Sequence, residues 1–181
     1  LYISYIFWNK FDSLVFFNLV YNVSDIILFF LFIIWFVGIY NAVNLIDGLD
    51  GLAGGFVLFI LIGITLADIS SLSQFHFYFV IIILAFLTFN QRPAKIFMGD
   101  AGSLYLGFHI AVLPLLYYDN YQTLSKLDMT PFVVFASFLI ADTTRVFFTR
   151  LSSKKNPMTA DTIHFHHLVL QESGSYLGSI T

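Results

Sequence analysis

Apolar residues run along this chain in long stretches, broken by short polar segments. Between Asp25 and Asp47 lie 21 consecutive uncharged positions; the next gaps are 51–67 with 17, 69–91 with 23 and 101–118 with 18. A helix crosses the hydrocarbon core of a bilayer with about 20 apolar residues, in a range of roughly 17–25. A fifth apolar run starts at Pro131, pauses at Asp142 and resumes through Phe148. The pattern predicts transmembrane helices near residues 25–43, 50–67, 74–90, 102–118 and 130–149. Ser24 and Asp25 stand where they can cap the first helix. Pro131 suits the opening turn of the last, and Pro114 interrupts the fourth.

The first 23 residues read differently. Tyr2 to Trp8 and Leu14 to Tyr21 are rich in aromatic and β-branched residues, and Asn9-Lys10-Phe11-Asp12 between them reads as a turn. Residues 1–23 are therefore expected as a β-hairpin or extended segment on the outer surface. A sixth span is the alternative, which Asn9, Lys10 and Asp12 make expensive at mid-membrane. Residues 24–149 then form a transmembrane helical bundle, and 150–181 a cytoplasmic tail.

Composition supports a membrane class. Hydrophobic residues make up 59% and charged residues 10%, against about 45–50% and 25% in soluble domains. Mean hydropathy is +0.85. The apolar excess must face lipid, so the expected fold class is an all-α polytopic membrane protein of about five transmembrane helices with a short N-terminal hairpin. With no cysteine, disulfides and thiolate metal sites are excluded. A net charge of −3 without a basic stripe argues against a nucleic-acid partner.

Orientation follows from Lys and Arg, which gather on cytoplasmic loops. If the loop after the first span is cytoplasmic, so are residues 91–101 and the tail. Those parts, with the inner end of the last span, hold Arg92, Lys95, Arg145, Arg150, Lys154 and Lys155, six of the eight basic residues. Segments around Asp47, Asp100 and His164 are separated by two spans each, and an even number of crossings returns the chain to the same face. The expected location is the inner membrane, multi-pass, with the active face cytoplasmic.

Three polar clusters meet that face. In the first, Asn41, Asn44, Asp47 and Asp50 recur every three residues before and among glycines 48, 51, 54 and 55. Three helical steps return to within roughly 60° of the same direction, so the first three can share a slowly drifting helix face. Two carboxylates beside glycine-rich backbone suit a hard cation with phosphate oxygens; the alternative is an ordinary helix-ending loop. The second cluster is Lys95-Ile-Phe-Met-Gly99-Asp100-Ala-Gly102-Ser103. Its glycines expose N–H groups at a helix start, where anions bind, and Asp100 can hold a divalent cation or simply cap the helix. The third is Asp161-Thr-Ile-His164-Phe-His166-His167. Three histidines suggest metal, phosphate binding or proton transfer; without cysteine, phosphate or sugar contacts are preferred over zinc. Asp142 and Arg145, at i,i+3, can pair with each other, or Arg145 can serve a substrate phosphate. His76 is expected at the outer interface and His109 packed within the bundle.

In this order the clusters resemble the polyprenyl-phosphate sugar-1-phosphate transferases, also called glycosyltransferase family 4. That family includes the UDP-N-acetylglucosamine:undecaprenyl-phosphate transferases and the phospho-MurNAc-pentapeptide translocases. Asn41-x-x-Asn44-x-x-Asp47-Gly-x-Asp50-Gly-Leu matches its central signature, and Phe97-Met-Gly-Asp100-x-Gly-Ser103 the next. Asp161-x-x-His164-x-His166-His167 is similar to the His motif of its N-acetylhexosamine branch.

The resemblance implies transfer of a sugar 1-phosphate from a UDP-N-acetylhexosamine to a polyprenyl phosphate, with release of UMP, in cell-envelope polysaccharide synthesis. It implies Mg²⁺, with Mn²⁺ as the alternative. Asp100 and Asp47 become metal ligands, and Asp47 and Asp50 catalytic. Asn41, Asn44, Arg145, His164, His166 and His167 become substrate-binding. The family's Asp-Asp pair on an earlier loop is absent, Thr162 stands where the family usually has Arg, and the chain ends at Thr181 where relatives continue. The chain thus reads as a C-terminal fragment, inactive alone, whose partner is a missing N-terminal half or another copy. The rival reading is a small membrane transporter or channel subunit, which would spread polar residues along a transmembrane path. An inactive remnant is the third.

Overall fold

The computed structural model describes residues 13–67, 74–119 and 126–152. Five helices lie where the charge gaps put them. They are α1 (Asp25–Ile46), α2 (Leu52–Ala67), α3 (Gln74–Asn90), α4 (Gly99–Asp119) and α5 (Thr130–Ser152). Three contain segments long and apolar enough to cross a membrane: Asp25–Ile46, Gly99–Leu116 and Thr130–Thr149. Leu52–Leu66 and His76–Asn90 are shorter apolar helices. At 1.5 Å per residue, the 16 residues of α2 span about 24 Å, short of the roughly 30 Å hydrocarbon core. Helices of this hydrophobicity that also expose Ile26, Phe30, Ile34, Phe77, Ile82 and Phe148 belong in lipid.

Packing centres on α1, which lies against α4 along most of its length and also meets α5 and α2; α2 in turn packs on α3 and α5. Ile39, Val43, Val57, Ile60, Leu61, Ile110, Phe132 and Leu139 form the fully buried centre. The Trp35 indole N–H donates to the Ala111 carbonyl at 3.0 Å, joining α1 to α4. Pro114 is buried inside α4, which continues through it to Asp119 rather than being interrupted there. Ser24 occupies the N-cap of α1, but its hydroxyl makes no capping bond; its carbonyl instead accepts the Leu28 N–H at 3.0 Å. His76, in the first turn of α3, is buried. Its Nε2 lies 3.1 Å from the Thr65 hydroxyl and 3.3 Å from the Leu61 carbonyl, linking α3 to α2. His109 packs within the bundle, its ring 3.7 Å from that of Phe79.

A hairpin does form, and its turn lies within the run Leu14 to Tyr21 that the sequence reads as a single strand. Strands β1 (Ser13–Phe16) and β2 (Leu19–Asn22) pair antiparallel across Phe17-Asn18. Both turn residues have positive φ, 47° and 65°. This is the two-residue hairpin geometry whose twist matches that of the strands. Asn18 suits it by composition. Phe17 is held there by its N–H, which donates to Thr130 Oγ1 at 2.9 Å. The expected strand Tyr2–Trp8 and turn Asn9–Asp12 lie outside the described residues. A third strand, β3 (Lys126–Asp128), joins β1 in parallel and gives the order β2-β1-β3. Asp128 Oδ1 then accepts the Thr130 N–H at 2.8 Å and opens α5. Leu14, Leu127, Met129, Leu28 and Phe32 seal the sheet onto the helix ends. Asn18→Val places a β-branched side chain at positive φ, which costs about 1–2 kcal/mol. We expect a lower melting temperature in detergent, with Asn18→Gly at or above the parent.

Candidate active site

The first two polar clusters meet at the end of the bundle away from the sheet. There α1 and α3 terminate and α4 begins. Asp47 ends α1, its N–H donating to the Asn44 carbonyl at 3.2 Å. The Gly48 N–H donates to the Ile46 carbonyl at 2.8 Å, and the Leu52 N–H to the Leu49 carbonyl at 3.1 Å. These bonds fold residues 47–51 across the bundle end. On the facing side Gly99 has φ +65°, a left-handed conformation that turns the incoming loop into the first turn of α4 and carries Asp100 with it.

One hydrogen bond ties the clusters together. Asn44 Nδ2 donates to Ser103 Oγ at 2.8 Å, from α1 to α4. Ser103 is completely buried. Its hydroxyl leans back on its own helix, 3.3 Å from the Gly99 carbonyl and 3.2 Å from that of Asp100. Asn44 is thereby fixed relative to the backbone that presents Asp100.

Asp47 feels the negative charge of Asp100. Asp47 is half-buried, and its pKa is raised above the ordinary carboxylate value, first by burial and second by the negative charge of Asp100. Two acids from distant parts of the chain thus share one electrostatic site. Asp100 is exposed in the first turn of α4. Asp50, also exposed, uses Oδ2 to accept the Ala94 N–H at 3.0 Å. It pins the loop 91–98 to the first cluster.

The sequence reading missed Asn90. This buried amide ends α3, accepts the Gly51 N–H on Oδ1 at 3.0 Å and donates from Nδ2 to the Ile96 carbonyl at 2.8 Å. It clamps both site loops at once. A signal was present: a lone amide closing an apolar run just before Gln91-Arg92-Pro93. Asn90→Leu would strip both loops of a buried partner, a change costing about 1–3 kcal/mol. We expect faster hydrogen exchange at the Gly51 amide, while amides in the middle of α1 keep their protection.

The other expected residues fall less centrally. Asn41 is exposed, and its amide donates to the Val37 carbonyl of its own helix at 2.7 Å. Arg145 pairs with Asp142 at 2.8 Å, on the half of α5 nearer this end. His164, His166 and His167 lie outside the described residues. Among the described residues no group of three or more His, Cys, Asp or Glu side chains converges as a metal site. The donor set of the Asp47–Asp100 pair is therefore two carboxylates with mutual repulsion. That set fits a hard divalent cation which takes its remaining ligands from phosphate oxygens and water.

Residues 1–118 match the profile of glycosyl transferase family 4. The chain is 37% identical over 87 residues to a probable undecaprenyl-phosphate N-acetylglucosaminyl 1-phosphate transferase of Bacillus subtilis, covering 48% of this chain and 24% of that protein. It is 33% identical over 94 residues to the undecaprenyl-phosphate alpha-N-acetylglucosaminyl 1-phosphate transferase of Thermotoga maritima, covering 52% and 30%. A phospho-N-acetylmuramoyl-pentapeptide-transferase of Fervidobacterium nodosum is 45% identical over 64 residues, covering 34% and 20%. The chain thus matches less than a third of the length of each of these relatives.

Proposed function

The chain belongs to glycosyl transferase family 4, and on that premise we propose that it carries part of the active site of a membrane phosphoglycosyl transferase. The proposed reaction moves N-acetylhexosamine 1-phosphate from a UDP-sugar to a polyprenyl phosphate. An oxygen of the lipid phosphate attacks the sugar-bound phosphorus, the bond to the bridging oxygen breaks, and UMP leaves. In this reading all five helices cross the inner membrane and the site faces the cytoplasm, where the basic residues Arg92 and Lys95 accompany it.

The observation that carries the reading is the joining of the two signature clusters. The Asn44–Ser103 bond and the effect of the Asp100 charge on Asp47 support a single site built from both. Acceptor and donor are both anionic, so the chemistry demands positioning and charge neutralisation more than covalent help. Asp47 and Asp100 would hold Mg²⁺, or Mn²⁺ in its place, which when bound offsets the charge of the diphosphate. Asn44 sets the distance between the two acids by fixing α1 to α4. Asp50 and Asn90 hold the loop 91–98, so that Gly99 presents Asp100 in one place. His164, His166 and His167 would contact phosphate or sugar, Arg145 would supply positive charge beside them, and Asn41 would line the approach.

The test measures UMP release from UDP-N-acetylglucosamine with undecaprenyl phosphate in proteoliposomes. It is run on the chain alone and on the chain joined to the further N-terminal segments of a relative. We expect turnover in the joined form that stops in chelator and returns with Mg²⁺. Turnover that is equal in chelator would overturn the metal assignment, and inertness of both forms would overturn the activity.

A further inference from the structure

The sheet end of the molecule exposes an apolar surface that water does not suit. Phe17 is 68% exposed, Leu19 60%, Val20 47% and Tyr21 48%. Every residue of β2 is exposed. Successive strand residues point to opposite faces, so Leu19 and Tyr21 are open on one face while Val20 is open on the other. Among the described residues, β2 is the edge of the sheet, hydrogen-bonded only to β1. Edge strands in water are ordinarily guarded by charge, Pro or a bulge. Residues 13–24 contain no charged residue and no proline.

Two observations identify what covers this surface. The first is continuity. Only Val23 and Ser24 separate β2 from α1, whose opening turns expose Ile26, Ile27, Phe29 and Phe30 to lipid. The hairpin tip is fixed at the same level by the Phe17 N–H bond to Thr130 at the start of α5, and β3 by the Met129 N–H bond to the Val15 carbonyl at 3.0 Å. The second is geometry. A second copy adding a strand to β2 would satisfy its edge yet leave both faces of Leu19, Val20 and Tyr21 open. A surrounding interfacial medium would cover both faces at once.

We propose that the β1–β2 hairpin is an anchor embedded in the headgroup region of the bilayer. Tyr21 and Phe17 lie where aromatic side chains favour the interface, and the polar Asn18 and Asn22 meet water and headgroups. The anchor would set the depth of α1 and α5, and through α1 the height of Asp47 at the far end.

The absence of cysteine in this chain makes the test direct. Val20→Cys and Phe17→Cys are each spin-labelled in the full chain, reconstituted in vesicles of phosphatidylethanolamine and phosphatidylglycerol. Phe30→Cys serves as the lipid-facing reference and Gln91→Cys as the aqueous one. Collision with oxygen and with a water-soluble nickel chelate reports depth. We expect labels at 17 and 20 to favour oxygen several-fold over the aqueous reference, at depths between the two references. A nickel accessibility at both sites equal to that at position 91 would overturn the proposal. So would spin–spin broadening at position 20 that vanishes on dilution with unlabelled chain, since that places a second copy on the strand. Because neither readout involves turnover, the result stands apart from the proposed activity.

Discussion

In the joined form proposed above, Asp100→Asn should lower UMP release by about 10²–10³-fold, the loss seen when a single charge-stabilising group is removed from an active site. Asp100 is exposed in the first turn of α4 and presses its charge on half-buried Asp47. The substitution removes a like charge from the fold and leaves the backbone at Gly99 and Ser103 untouched. The melting temperature should therefore hold or rise slightly while activity collapses, which separates a chemical role from a structural one. Asp50→Asn makes the informative contrast. Its amide oxygen can still accept the Ala94 N–H that Asp50 now accepts at 3.0 Å. If Asp50 positions the loop 91–98, the variant keeps most of its turnover. If Asp50 takes part in the chemistry, as its place in the signature implies, the variant falls with Asp100→Asn. The kcat and KM of the two variants, measured side by side at saturating Mg²⁺, decide between these roles.

What the sequence made legible follows the strength of each physical signal. Charge spacing located five helices because burying an unpaired charge in lipid is costly, so Asp25, Asp47, Asp100 and Asp119 bracket helices more sharply than propensity does. The same rule read α2 and α3 as spans too, but their apolar segments, Leu52–Leu66 and His76–Asn90, are shorter than those of the other three because their lengths depend on where the backbone turns. Strand character was visible in the aromatic and β-branched content, but the turn was not. Phe17 carries no turn signal, and its left-handed backbone is held by Thr130 from a helix 113 positions away. Strand β3 is three residues long, too short to show alternation. In the site, parity brought Asp47 and Asp100 to one face, and the effect of the Asp100 charge on Asp47 agrees with that. Asn44 was legible as part of a repeating polar face, whereas its partner Ser103 was simply the end of a motif. Asn90 left only the faint signal of an amide closing an apolar run, because its partners are backbone groups on two separate loops and those leave no mark in a sequence.

Gly107→Ala should be a strongly damaging small change in the bundle. A Cβ at Gly107 would sit 2.8 Å from the Tyr40 carbonyl oxygen and 2.9 Å from its Cα. Those are backbone atoms of α1, so no side-chain rotation relieves the contact and the two helices must separate. Close approach through small residues is how membrane helices gain packing without a hydrophobic driving force between them. Overpacking of this kind costs about 1–3 kcal/mol. For a chain of this size that corresponds to a fall of about 2–12 °C in melting temperature. The damage should also travel. Tyr40 and Gly107 each lie one turn from the Asn44–Ser103 pair, on the same α1–α4 interface, so spreading the helices lengthens the bond that joins the signature clusters. Turnover of the joined form should drop together with stability, and hydrogen exchange should rise at amides near Ser103. Gly38→Ala is the matched control. Nothing lies within 4 Å of its added Cβ, and alanine is the better helix former by about 1 kcal/mol, so that variant should melt at or above the parent. If both alanine variants melted alike, α1 and α4 would not cross as closely as the Gly107–Tyr40 contact requires, and the link from helix packing to the site would fail with it.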